Sequence, residues 1–285
     1  MKILDGKACA HAVEAKIAHA LSNTPLPPPA LAFISVGTHP SSTIYLKRKQ
    51  KKCQEVGILS VVREFPEHAS EKDLIKEIHC LNQDPTIDGI LIQQPLPSSL
   101  SALHLTSHID PRKDVDGFHP LNMGKLLLGD TTGFMPCTPW GIITLLHHYG
   151  ITTHEKHVVI VGRSNIVGKP LAALLVQKAP YGNATVTIAH TSTQSLADVC
   201  KSADILISAV GIPHLIKAPM VRPNSVVIDV GINRLPSGAI VGDVDFDTVS
   251  QISSYITPVP GGIGPMTIAM LLSNTLLSYQ RKYAQ

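Results

Sequence analysis

A chain of 285 residues that is 44% hydrophobic but only 4% aromatic suits about two α/β domains built from small aliphatic side chains. Its formal charge of +3 is too mild to argue for a nucleic-acid partner or a membrane surface, and no apolar run approaches the ~20 residues of a spanning helix. A small-molecule partner is the expectation that remains.

From the amino terminus, Met1 to Gly6 lacks the long apolar core of a secretory signal, so a cytoplasmic location is expected. Strand-like runs follow at 31–36, 58–62 and 89–92. Between the first two, the stretch from Ser41 to Cys53 reads as a helix capped by Ser41 or Ser42, with Tyr45 and Lys49 four apart on one face. On spacing alone Lys49 is as well explained as a solvated charge in a basic run. The segment 111–139, rich in Gly, Pro and Asp, marks a change of composition. Beyond it a second series of strand-like runs appears at 158–161, 185–189, 205–210 and 226–230, and a helix-like stretch at 266–283 closes the chain. Two successive βαβ series predict two domains, each with a mostly parallel sheet.

The five cysteines lie far apart, without a CxxC pair or an even disulfide framework, and are expected to be reduced and mostly buried. His154 and His157 are three apart, so the segment is not HExxH, and no metal site is expected among the 14 histidines.

The turn "VVIVGRSNIVGKP", from Val158, poses the main chemical question. A P-loop requires GxxxxGK[ST], whereas here five residues separate Gly162 from Gly168, and Pro170 stands where a metal-ligating hydroxyl is needed. The dinucleotide fingerprint GxGxxG fits in part: Gly162 makes the turn, while Ser164 and Val167 occupy the other two glycine positions. The order of strand, glycine turn and helix supports a dinucleotide, although an ordinary βα connection has the same order. About twenty residues on, where an NAD site places a carboxylate on the ribose, the chain has His190 and Thr191. Arg163, with the hydroxyls of Ser164 and Thr191, instead suits a 2′-phosphate, which favours NADP.

Four further stretches, "DGILIQQPLP" from Asp88, "KDVDGFHP" from Lys113, "PCTPWG" from Pro136 and "TPVPGGIGPMT" from Thr257, join the Tyr45/Lys49 pair and the Gly162 loop. Together they resemble the bifunctional methylenetetrahydrofolate dehydrogenase/methenyltetrahydrofolate cyclohydrolase family, in order and over nearly the whole chain. The resemblance implies an α/β protein of two domains: a folate-binding catalytic domain over 1–119, with the helix 266–285 packing back on it, and a Rossmann-like NADP-binding domain with a parallel sheet over 120–265. It also implies a cleft between them and a homodimer. The implied substrate is a tetrahydrofolate derivative in one-carbon metabolism, oxidised by NADP+ and then hydrolysed.

By the same resemblance Lys49 assists proton transfer, with its basicity tuned by burial beside Tyr45, and Gln93 orients it. Tyr45 packs on the folate and Asp116 anchors the pterin, although on its own Asp116 also suits a turn in a Gly-containing loop. Pro260, Gly261 and Gly262 close over cofactor and folate. Gly162, Arg163, Ser164, Ile166, Gly168 and Thr191 bind the cofactor, with Gly231 and Ile232 on its nicotinamide side. Gln94 stands where the family usually has an apolar residue, and "AHTST" lacks a basic residue that is common there. Two competing readings are a monofunctional NAD(P)-dependent dehydrogenase and a dinucleotide-binding regulator without catalysis.

Overall fold

The protein is described from a computed structural model covering residues 1–37 and 40–284, the side chains of 40–42 excepted. The caps expected of Ser41 or Ser42 lie outside the described residues. In chain order the elements are β1 (Lys2–Ile3), α1 (Gly6–Ser22), β2 (Ala30–Val36), α2 (Pro40–Val56), β3 (Leu59–Phe65), α3 (Glu71–Gln83), β4 (Gly89–Ile92) and α4 (Ala102–Ser107). They continue with α5 (Pro120–Leu128), α6 (Cys137–His148), β5 (His157–Val161), α7 (Gly168–Leu175), β6 (Thr185–Ala189), α8 (Leu196–Lys201), β7 (Ile205–Ser208) and β8 (Val226–Asp229). The last are β9 (Asn233–Arg234), β10 (Ile240–Val241), α9 (Phe246–Val249), β11 (Tyr255–Ile256) and α10 (Ile263–Tyr283).

Contacts divide the chain into two compact units, one of residues 11–136 with 268 onward and one of residues 1–10 with 137–267. The first holds a three-stranded parallel sheet in the order β3-β2-β4. Its central strand β2 is almost wholly buried, as expected for an uninterrupted apolar run covered on both faces. Helix α3 buries Leu74, Ile78 and Leu81 at a 3–4 residue spacing, and Ser70 accepts the Asp73 N–H at its start. The second unit holds a six-stranded sheet, β1-β11-β8-β7-β5-β6, in which every pairing is parallel.

This division differs from the expected 1–119 and 120–265 at both ends. Residues 1–10 go with the six-stranded sheet because β1 pairs with β11. Residues 120–136 stay with the three-stranded unit because Asn122, on α5, donates from Nδ2 to Asp114 Oδ2 at 2.8 Å and to the Pro111 carbonyl at 3.0 Å. Three residues of α10 at intervals of four tie that helix to the same unit. Asn274 Nδ2 reaches the Val115 carbonyl at 2.8 Å and the Met135 carbonyl at 2.9 Å, Ser278 Oγ the Arg112 carbonyl at 2.8 Å and Lys282 Nζ the Asp88 carboxylate at 2.7 Å. The five cysteines are free, four of them buried and Cys80 exposed.

Asp114 is buried and accepts from the His119 N–H (2.7 Å), the Phe118 N–H (3.3 Å) and Asn122. Desolvation outweighs these hydrogen bonds, and with the charge of Asp116 nearby the Asp114 carboxyl is pushed up to about 7. Burial likewise raises Asp229, in the other unit, to about 6. A raised folded-state pKa means that the native state binds the proton more tightly. The resulting stability is complete below the unfolded value of about 3.9 and is lost as pH rises through the folded value. Wild type should therefore gain thermal stability relative to Asp114→Asn as pH falls from 7 to 4. Melting curves that stay parallel over that range, or diverge the other way, contradict the assignment.

Candidate active site

Helix α2 carries Tyr45, Lys49 and Cys53 at i, i+4 and i+8, hence along one face. Lys49 is only 6% exposed. Its Nζ donates to Gln93 Oε1 at 3.1 Å and lies 4.8 Å from the centre of the Tyr45 ring, within cation–π range. Gln93 is the first residue beyond β4, and its N–H bonds to the Ile34 carbonyl of β2 at 2.8 Å, so the sheet itself sets its position. Its other amide atom, Nε2, donates to the Gln94 carbonyl at 2.6 Å. With that group committed, Oε1 must face the lysine, which has only donors to offer. Burial pushes the Cys53 thiol up to about 12 despite the charge of Lys49, so it remains a protonated, unreactive neighbour.

Tyr45, Lys49 and Gln93 are thus brought together. Asp116 belongs to the same unit, half-buried, on a segment that runs beside β4: the Ile90 N–H bonds to the Lys113 carbonyl at 2.8 Å, and Ile90 pairs with Asp114. Sequence reasoning missed Asp114. Its carboxyl holds the backbone just beyond Asp116, and an acid two residues from a more obvious one gives no separate signal.

In the six-stranded unit, β5 feeds α7 and β6 on one side, and the chain then crosses back to β7 on the other. That reversal is the switch point beside which open parallel sheets bind ligands, at the carboxyl ends of their strands. Gly162 lies at that end with φ +125°, and a Cβ there would stand 2.4 Å from the Ala209 carbonyl oxygen. The turn therefore needs glycine. Ser164 Oγ accepts the Val167 N–H at 3.1 Å, which ties the loop to the start of α7 and leaves the hydroxyl hydrogen able to donate outward. Arg163, Ile166 and Thr191 are exposed, and Gly168 is buried at the first position of α7. His190 and Thr191 follow β6 directly, so no carboxylate stands at the end of that strand.

The loops after β7 and β8 are organised by two carboxylates that the sequence reading overlooked. Asp243 accepts the N–H groups of Val210 (2.8 Å), Gly211 (3.3 Å) and Ile212 (3.0 Å), as well as Ser208 Oγ and Asn233 Nδ2. Asp229 accepts from Gly231, Asp243 and Val244, each at 2.9 Å. Gly231 sits against this pair, and a Cβ there would be 2.1 Å from Asp243 Oδ1, while Ile232 next to it is exposed. No local spacing signals this arrangement, because the carboxylates serve loops that meet only in the fold. Pro260, Gly261 and Gly262 form a tight turn ahead of α10, in which the Gly262 N–H bonds to the Pro258 carbonyl at 2.8 Å. Among the described residues no group of three or more His, Cys, Asp or Glu is placed to hold a metal ion. No described helix is long and apolar enough to cross a membrane.

Comparison with known proteins matches two domain profiles to this chain. The "Tetrahydrofolate dehydrogenase/cyclohydrolase, catalytic domain" covers residues 4–116, and the "Tetrahydrofolate dehydrogenase/cyclohydrolase, NAD(P)-binding domain" covers residues 136–283. The bifunctional protein FolD of Protochlamydia amoebophila is 53% identical over 98% of both chains, and that of Campylobacter curvus is 50% identical over 99% of this chain and 97% of its own. Among solved structures, the Campylobacter jejuni bifunctional enzyme FolD superposes with a TM-score of 0.94 at 46% identity over 99% of each chain. The Trypanosoma brucei FolD, solved with NADP cofactor and an inhibitor, gives 0.93 at 33% identity over 99% of this chain and 98% of its own. With both domain profiles matched in order and full-length relatives at about half identity, the chain belongs to the tetrahydrofolate dehydrogenase/cyclohydrolase family.

Proposed function

We propose that this enzyme oxidises 5,10-methylenetetrahydrofolate to the methenyl form with NADP+ and hydrolyses that product to 10-formyltetrahydrofolate, as a cytoplasmic homodimer. The observation that carries the reading is the buried Lys49–Gln93 pair at 3.1 Å, in the part of the chain matched by the family's catalytic domain.

Asp116 anchors the folate in this reading, because a carboxylate can accept two hydrogen bonds from an aminopyrimidinone edge. The Tyr45 ring packs on the pterin. Bound NADP+ supplies the hydride acceptor. The six-stranded unit fits it through the Gly162 turn, where a Cβ would meet backbone, and through exposed Arg163 beside a strand end that lacks a carboxylate. Gly168, Ser164, Ile166 and Thr191 complete the cofactor side, with Gly231, Ile232 and the 260–262 turn toward the nicotinamide.

Hydride loss leaves a methenyl cation stabilised by its two flanking nitrogens, so this step needs positioning and no obligatory base. Hydration differs, since water attacking C11 must give up a proton, and Lys49 Nζ takes it. The carbinolamine then opens to the formyl product as a proton reaches the departing ring nitrogen. Gln93 holds Nζ through a neutral oxygen, an interaction that either protonation state of the amine can make, as a proton shuttle requires.

Lys49→Met should lower methenyltetrahydrofolate hydration by about 10²–10⁴-fold, the usual contribution of a positioned base, while leaving measurable hydride transfer, so that methenyltetrahydrofolate accumulates. Hydrolysis at the wild-type rate would return Lys49 to the role of a buried structural cation. For the cofactor, Arg163→Ala should weaken NADP+ binding by about 1.5–3 kcal/mol, the range of a charged hydrogen bond, with little change for NAD+. Equal loss for the two cofactors in parallel titrations excludes the 2′-phosphate role.

A further inference from the structure

The three-stranded unit has a concavity that does not include the Lys49–Gln93 pair. It is a cavity of about 700 Å³ that opens beside Asp88, at the amino-terminal end of β4. Gln93 leaves the opposite end of that strand, five residues on, and at ~3.3 Å per residue the two lie about 16–17 Å apart along the sheet. The volume falls within the range of small-molecule sites, about 300–1,000 Å³.

The charges around this cavity do not balance. Lys282 is matched by Asp88 at 2.7 Å, and Arg112 by Asp110 at 2.6 Å. Lys113 directs its ammonium into three backbone carbonyls, those of Leu81, Asn82 and Asp84, at 2.7–2.9 Å. Two cations have no ion-pair partner. Lys125 donates to a hydroxyl, Thr132 Oγ1 at 2.9 Å, and feels the Asp130 carboxylate only from beyond ion-pair distance. Arg281 has no hydrogen-bond or ion-pair partner among the described residues: its guanidinium lies 5.0 Å from the centre of the buried Phe134 ring, and burial alone draws its pKa below the ordinary value. A half-buried guanidinium stacked on an aromatic face keeps its planar fork of donors, and such a fork suits a phosphate oxygen pair. Pro85, Pro111 and Leu121 give the rest of the wall an apolar character.

We propose that this cavity binds a small phosphate monoester with a compact apolar body, its dianion held by Arg281 and Lys125. A phosphate monoester carries about two negative charges at neutral pH, which answers the two cations that have no ion-pair partner. The site is independent of the folate and NADP assignments, since none of its residues belongs to either.

The test is calorimetric titration of phenyl phosphate into the full chain saturated with NADP+, so that the cofactor's own phosphate site is filled. One molecule should bind per chain. Arg281→Gln and Lys125→Gln should each weaken binding at least tenfold, and inorganic phosphate should bind more weakly than the ester. Lys125→Gln serves as the second variant because its partner is a surface hydroxyl, so it keeps the test valid should Arg281→Gln disturb the packing on Phe134. No binding at millimolar phenyl phosphate, binding unchanged in both variants, or tighter binding of citrate than of the ester would each overturn the proposal.

Discussion

A lysine amine resists removal from water, and the three-stranded unit nevertheless holds one at position 49 almost fully enclosed. That constraint accounts for much of the surrounding structure. The sheet must end at Ile92 so that Gln93 turns its side chain toward α2, and the Gln93 amide must be fixed from its nitrogen side so that an oxygen meets Nζ. The helix must place an aromatic face one turn before the lysine, as it does with Tyr45. Cys53, one turn after it, fills the position as a small apolar group whose thiol stays protonated.

The six-stranded unit solves a different problem, that of presenting backbone close to a ligand without collapsing onto itself. Glycine provides the approach at 162, where no side chain fits against the Ala209 carbonyl. The neighbouring loops have backbone N–H groups that would otherwise lack partners, and two acidic side chains gather them: Asp243 for the turn after β7, and Asp229 for the one after β8. Because Asp229 also accepts from the backbone of Asp243 and Val244, the two loops form one hydrogen-bonded network.

The strands most legible in the sequence were the uninterrupted runs of strand-forming residues, whether buried throughout like Gly89–Ile92 or mostly half-buried like Thr185–Ala189. Gly89–Ile92 and Thr185–Ala189 have the expected limits, and the other long apolar runs shift by a few residues at their ends. The two-residue strands β1 and β11 were not legible, because their pairing joins positions more than 250 residues apart and owes nothing to local pattern. For the same reason nothing in the local pattern showed that the first ten residues pack with the six-stranded sheet, and the carboxylates at 114, 229 and 243 were passed over. Spacing placed Tyr45 and Lys49 on one face but could not distinguish Lys49 from its solvated neighbours. Family resemblance singled it out, and burial against Gln93 gives that choice a physical basis.

The account rests on Gln93 acting through Lys49 and on Lys49 serving hydration alone. The most direct test is single-turnover measurement of the two half-reactions in Gln93→Leu, with hydride transfer followed from methylenetetrahydrofolate and hydration from added methenyltetrahydrofolate. Misplacing a catalytic group by about 1 Å can cost on the order of 10²-fold, so hydration should fall by that order while hydride transfer stays within a few-fold of wild type. Hydration at an unchanged rate, or a parallel fall in both half-reactions, would contradict the claim that the amide-held lysine is the part of the site devoted to water.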